Sequence, residues 1–314
     1  MTIIVQKQKT LVSPAVFEGV ALNSGEEVVV KVLPADDDTG YVFRRVDFSP
    51  NPPEIRALHS SFFSPGLYTA LQNADGVRVI LVEHLLAALA LCDIDNAVIE
   101  LSSEEVAIMD GSACNFVEGF LASGIQKTQA ERKVLEILTP VSVQEGLSTA
   151  SLEPCDHFEL HFVIDFPKTP VIGFQEKHLV MEVHEMVEEI ASARTFCEMH
   201  MIDTLKGMGY GKGASLDNLI VADSDDIINP GGLRYSDEFV RHKMLDAVGD
   251  LALAGYRVRG KYSSFSGGHQ LTASLLKELF SSAENYRVRS LGEIVDGSLT
   301  HSRPLNSTRY GVGI

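Results

Sequence analysis

The sequence predicts an α+β protein of two domains. Three observations carry that expectation. The chain has 314 residues, about twice the usual length of one domain. Strand-like and helix-like runs are mixed in each half without a regular strand–helix–strand series. No glycine-rich nucleotide fingerprint sits between a strand and a helix, which argues against a Rossmann fold.

The elements follow in chain order. Glu26–Leu33 is a β-branched run, and Ala35–Gly40 after it reads as a turn. Tyr41–Val46 resumes an extended pattern, ended by the prolines of Ser49–Pro53. Val77–Ile80 is a further short strand. Val82, Leu85, Leu86 and Leu89 recur at helical spacing, which predicts a helix over 82–91. Ala97–Leu101 is a strand, and Asn115 is placed as the cap of a short helix that Gly124 ends. The polar, aperiodic stretch around 124–133 marks the domain boundary. The expected division is therefore 1–125, a linker at 126–133, a second domain at 134–285 and a tail at 286–314.

In the second half, Val134–Leu138 and the alternating Phe158–Phe166 read as strands, and Met181–Ile190 has helical spacing. Leu205–Gly213 carries Gly207, Gly209, Gly211 and Gly213 and reads as a loop. It lacks the spacing of a phosphate-binding P-loop. The strongest helix spans 236–254, with Ser236 as its cap and Phe239, Met244, Leu245, Val248 and Leu251 as its apolar stripe. A strand at Tyr256–Tyr262, a Gly267-Gly268 turn and a helix through Leu271–Phe280 follow, and residues 281–314 read as a short strand followed by a tail.

Composition narrows the function. Hydrophobic residues are 45% and charged residues 22% of the chain, an ordinary globular mixture. With 26 Lys and Arg against 43 Asp and Glu, the net charge is −17, which excludes a protein that tracks nucleic-acid backbone. A local pocket for one phosphorylated ligand is compatible with it. The four cysteines are far apart and form no CxxC pair, so reduced thiols in a cytoplasmic enzyme are expected. The start, MTIIVQKQKT, has no apolar signal core, and no apolar run approaches the length of a membrane span. Transient contact with a membrane surface is compatible with that.

Several polar groups interrupt apolar helices. His242 and Asp246 are four residues apart on the 236–254 helix and share a face, with Asp250 one turn further. An imidazole and a carboxylate so placed can hold a divalent ion, although the same spacing also suits a solvated helix edge. Glu83 and His84 sit inside the apolar 82–91 helix, where a buried Glu needs a partner. Together these pieces supply His, His and Asp with an open fourth position, the arrangement of a catalytic zinc. His269 follows Gly267-Gly268. His157 and His161 fall on a predicted strand too far apart to share a metal, and His178, His184 and His200 have no partner pattern. No GxSxG elbow is present, and Cys114 has no evident base.

At this point the sequence resembles the UDP-3-O-acyl-N-acetylglucosamine deacetylase family, zinc amidases of the committed step of lipid A synthesis in Gram-negative bacteria. The resemblance rests on FEGVALNSG (17–25), VFRRVD (42–47), VEHLLAALALCDIDNAVIE (82–100), IMDGSA (108–113), ARTF (193–196), GLRYSDEFVRHKMLDAVGDLALAG (232–255) and GGHQL (267–271), in family order over nearly the whole chain. It implies two similar α+β domains, each a sheet layered on helices, with the active site between them. It implies one Zn2+ per chain on His84, His242 and Asp246, a donor set that also accepts Fe2+. Glu83 would be the general base on the metal-held water. His269 would act as acid or charge stabiliser oriented by Asp250, and Thr195 would meet the oxyanion. Lys243 and Phe196 would contact the substrate's polar part. An insert near 196–222 would form an apolar acyl passage, with Met199 and Ile202 as lining residues. Asn23 stands where the family often has His, so its substrate contact is expected to lack a charge. A monomer is expected. The rival readings are a zinc hydrolase of another acylated nucleotide sugar, and a metal-stabilised binding protein without turnover.

Overall fold

The computed structural model describes residues 2–63, 66–180, 183–290 and 292–295. Among these, six helices are formed: α1 (Glu83–Leu91), α2 (Cys114–Ser123), α3 (Val183–Ile190), α4 (Met199–Gly207), α5 (Glu238–Leu251) and α6 (His269–Leu279). The α+β expectation holds, with sheets and helices in both halves.

The first half is built on a five-stranded sheet in the order Ala15–Val20, Glu27–Pro34, Ala97–Leu101, Tyr41–Arg45, Glu54–Arg56. Alternation makes it: Val28, Val30 and Val32 are buried while Val29 faces out. α2 covers the inner face. Phe17 packs edge-on against Phe116 and Phe120, with ring centroids 4.9 and 5.6 Å apart. Gly119 allows this approach, since a Cβ there would lie 2.3 Å from the Phe17 ring. Asn115 is not the cap of α2, which starts one residue earlier. Ser112 Oγ accepts from the Cys114 amide instead.

The second half is a seven-stranded sheet centred on Arg257–Phe265. That strand pairs antiparallel with Ser148–Glu153 and parallel with Lys133–Ile137 and Phe158–Phe166. The alternating Phe158–Phe166 buries Leu160, Phe162 and Ile164. α5 packs on Phe158–Phe166, and α6 on the hairpin Val141–Glu145/Ser148–Glu153.

Three further expectations change. Ile125–Glu131, which covers most of the expected linker, is a strand paired antiparallel with Lys7–Leu11 across a bulge. A two-stranded ribbon with a largely exposed face needs no apolar alternation, so its sequence is polar. The tail expected at 286–314 begins later: Tyr286–Ser290 is the short strand expected within 281–314 and pairs with Lys133–Ile137, and Gly292–Val295 pairs with Thr2–Val5. Arg287 and Arg289 both bind Glu136, while the Tyr286 ring packs on Phe280 at 4.9 Å. Residues 296–314 lie outside the described residues. Finally, Leu205–Gly207 belongs to α4 rather than to a loop.

α1 and α5 bring the halves together. Gly249 of α5 lies so close to α1 that a Cβ would sit 2.0 Å from the Glu83 carbonyl oxygen. This contact sets Glu83 and His84 beside His242, Asp246 and Asp250. Among the described residues, no helix is long and apolar enough to cross a membrane.

Candidate active site

Each side chain of the cluster is delivered by a helix. Glu83 and His84 open α1, following Leu81 and Val82 in turn, and Leu81 is buried with φ of 61°. A left-handed leucine is strained. The Thr69 carbonyl holds it there by accepting from the Leu81 amide at 2.9 Å and the Val82 amide at 3.3 Å. His242, Lys243, Asp246 and Asp250 line one side of α5, as the i, i+4 spacing requires. His269 is the first residue of α6, so the Gly267-Gly268 turn leads directly into a helix.

His84, His242 and Asp246 each offer a ligand atom, all within 4.8 Å of one another. His84 Nε2 lies 3.5 Å and His242 Nε2 3.3 Å from Asp246 Oδ1. Ligands bound tetrahedrally at about 2.0–2.2 Å are themselves roughly 3.3–3.6 Å apart. Asp246 Oδ1 is buried with no hydrogen-bond donor, whereas Oδ2 accepts from Lys243 Nζ at 2.8 Å. A buried carboxylate oxygen without a donor is costly unless a cation meets it. His242 Nδ1 donates to the Ala193 carbonyl at 3.0 Å, which leaves the Nε2 lone pair facing Asp246. Burial pushes the His242 pKa down to about 3 against the pull of Asp246, so the ring is neutral. These donors fit a divalent transition metal ion.

Around them is an acid–base set. Glu83 Oε1 lies 3.8 Å from His269 Nε2. Burial raises the Glu83 pKa, opposed by the positive potential of His269 and His84. His269 Nδ1 donates to Asp250 Oδ2 at 2.9 Å. Burial alone would lower the His269 pKa, but Asp250 and Glu83 outweigh it and raise it to about 9. Lys243 is likewise held charged: burial opposes this, and Asp246 prevails. Phe196 packs edge-on against His242, with centroids 6.2 Å apart, and Lys243 Nζ lies 5.7 Å from the Phe196 ring centroid.

The other expected residues are placed as follows. The Thr195 amide donates to the Gly111 carbonyl at 2.7 Å, and its carbonyl accepts from Ile220 at 2.9 Å. Asn23 is tied up by Glu105, which accepts from its amide at 2.8 Å and its side chain at 2.9 Å. Met199 and Ile202 are on α4, none of whose residues is buried. α4 stands between the short parallel strands Phe196–Glu198 and Ile220–Asp223.

Two residues escape sequence reasoning. Thr69 is fully buried; its amide donates to Glu83 Oε2 at 3.1 Å and its hydroxyl to Asp250 Oδ1 at 2.5 Å. A lone Thr in a short strand region gives no signal of this. Glu238, also fully buried, accepts from the Arg194 amide and Nε and from the Arg234 amide, and so fixes the residue before Thr195. A charged residue in the first turn of α5 was the available hint.

A cavity of about 1410 Å³ opens elsewhere, at the C-terminal end of α1 beside Asp93, Arg132 and Arg257. Its charges neutralise one another: Arg132 and Arg257 both bind Asp93 and Asp95. The chemistry therefore points to the helix-borne cluster and not to this opening.

Comparison with known proteins agrees. Residues 8–281 match the family described as LpxC, UDP-3-O-acyl N-acetylglycosamine deacetylase. A UDP-3-O-acyl-N-acetylglucosamine deacetylase of Phenylobacterium zucineum is 41% identical over 286 residues, covering 91% of this chain and 97% of that protein. Deacetylases of the same name from Saccharophagus degradans and Alcanivorax borkumensis are also 41% identical, each covering 95% of this chain and 98% of the relative. The match spans α1, α5 and α6 with every residue of the cluster, and the chain belongs to the UDP-3-O-acyl N-acetylglycosamine deacetylase family.

Proposed function

We propose that the cluster on α1, α5 and α6 removes acetate from the 2-acetamido group of UDP-3-O-acyl-N-acetylglucosamine, the committed step of lipid A synthesis. Zinc is the proposed metal, one per chain, on His84, His242 and Asp246. The observation that carries the reading is Asp246 Oδ1, buried without a donor between two imidazole nitrogens at 3.3 and 3.5 Å. When bound there, the ion supplies Lewis acidity, which eases deprotonation of water and polarises the amide carbonyl.

The protein's own groups do the rest. Glu83, beside the ligand His84 and anchored by the Thr69 amide, takes the proton from the attacking water. Negative charge then builds on the former carbonyl oxygen. The Thr195 hydroxyl and the charged His269 stabilise it. The amine leaves only as a protonated species, and the proton comes from Glu83, which has just acquired one, or from His269. Asp250 keeps His269 charged and oriented. Lys243 neutralises Asp246 and faces Phe196, where the substrate's polar part would lie. Met199 and Ile202 would line the acyl passage. The protein would act as a cytoplasmic monomer, meeting the membrane surface transiently.

The test is acetate release from UDP-3-O-acyl-N-acetylglucosamine by the purified protein, with and without chelator, together with elemental analysis of the bound metal. Turnover that survives complete metal removal would refute the reading.

A further inference from the structure

We propose a second metal site, on the surface of the second half, formed by Cys155, His157 and Glu159. It takes a borderline divalent transition ion of the zinc, cobalt or nickel kind, and it is distinct from the cluster on α1 and α5.

The geometry carries the assignment. Cys155 Sγ lies 3.5 Å from His157 Nε2 and 3.7 Å from Glu159 Oε2, and His157 Nε2 lies 3.4 Å from Glu159 Oε2. A tetrahedral ion with a thiolate at about 2.3 Å, an imidazole at about 2.0 Å and a carboxylate at about 2.1 Å needs ligand separations of roughly 3.4–3.6 Å. All three edges are therefore close to the required lengths before any ion arrives. Thiolate with imidazole and carboxylate is a donor set for borderline ions and not for Mg2+ or Ca2+.

The surroundings orient the donors. His157 Nδ1 donates to Asp156 Oδ1 at 2.6 Å, which leaves Nε2 unprotonated; Cys155 Sγ lies 3.6 Å from Nδ1 as well as 3.5 Å from Nε2, over the ring, so the exposed His157 side chain turns on binding to bring the ion onto the Nε2 lone pair. A carboxylate holding the far nitrogen is the usual support of a metal-binding histidine. The other carboxylate oxygen of Glu159 is already engaged, by His178 Nε2 at 2.5 Å and Lys261 Nζ at 3.5 Å, so Oε2 is the free one. The turn is pinned to the central strand: Arg259 donates to the Asp156 carbonyl at 2.7 Å and the Gly260 amide to the His157 carbonyl at 3.0 Å. The His157 side chain is 46% exposed, so ions reach the site from solvent and water completes the fourth position. On binding, the Cys155 S–H bond breaks, sulfur keeps the electron pair and the proton passes to solvent.

The experiment uses full-length protein titrated with Co2+. No thiol belongs to the other cluster, so a thiolate-to-cobalt charge-transfer band reports this site alone. Equilibrium dialysis then counts the ions. Wild type should show the band and bind about two ions per chain. Cys155→Ser should lose the band and bind about one, with deacetylation unchanged. Asp156→Asn, which keeps all three ligands, should weaken the second site about 10–100-fold. No band in wild type, or a band that persists in Cys155→Ser, overturns the proposal.

Discussion

Thr69 donates its hydroxyl to Asp250 Oδ1 at 2.5 Å while its amide holds Glu83 Oε2 at 3.1 Å. One residue thus suspends two carboxylates that come from different helices and different halves of the chain. Thr69→Val keeps the shape but leaves Asp250 Oδ1 buried without that donor. It should cost about 1–3 kcal/mol in chemical denaturation, the usual loss for an unpaired buried acceptor. Thr69→Ser should restore most of it. Equal stability in Thr69→Val would show that the bond contributes nothing.

His84→Ala removes one of three proposed metal ligands. Metal content at the α1–α5 cluster should fall well below one ion per chain, and activity should fall with it. Full retention of both would reassign the site.

Glu83→Gln keeps the size and the contact with Thr69 but cannot accept a proton. Bound metal should be unchanged and kcat should drop about 10²–10⁴-fold, the usual worth of positioned proton transfer. Near-normal turnover would move the base to His269.

The pH profile should follow His269. Its folded pKa of about 9 is above the ordinary value near ~6.5, so its pairing with Asp250 stabilises the fold fully below ~6.5 and is lost as pH climbs through about 9. Asp250→Asn removes the largest charge holding the proton. The basic limb of kcat/KM should therefore move to lower pH. A limb that stays put in both Asp250→Asn and His269→Ala belongs to another group.

The acyl chain should contribute to rate as well as binding. Each buried CH2 is worth about 0.8 kcal/mol, and a held tail aims the acetamide. Substrate lacking its O-acyl group should lose at least ~10³ in kcat/KM. Met199→Trp or Ile202→Trp should shorten the longest chain accepted. Equal turnover of the deacylated substrate would remove the passage from the reading.

Much of this was legible in the sequence because it is periodic. Phe158–Phe166 alternates and is a strand over that same range, and the stripe of α5 announced both its core face and the i, i+4 pair on it. What was not legible depends on distant partners. Ile125–Glu131 pairs with Lys7–Leu11, over a hundred residues away, and its own pattern is polar. Thr69 works through an amide and a hydroxyl whose targets no local pattern names. Cys155, His157 and Glu159 lie close in sequence, but only the turn before Phe158 folds their ligand atoms to within 3.4–3.7 Å of one another.

Gly249 has no side chain to offer the active site, yet it governs the spacing of the groups that do. A methyl group there would lie 2.0 Å from the Glu83 carbonyl oxygen, more than an ångström inside ordinary contact. Relief requires α5 to retreat from α1, and with it His242 and Asp246 would retreat from His84. Coordination tolerates only about ±0.2 Å. The spacing between two helix backbones is thus the gauge of the ion site, and the smallest side chain in the protein acts as its calibration. A search for variants with altered metal preference would do better to vary such helix-crossing positions than the ligands themselves.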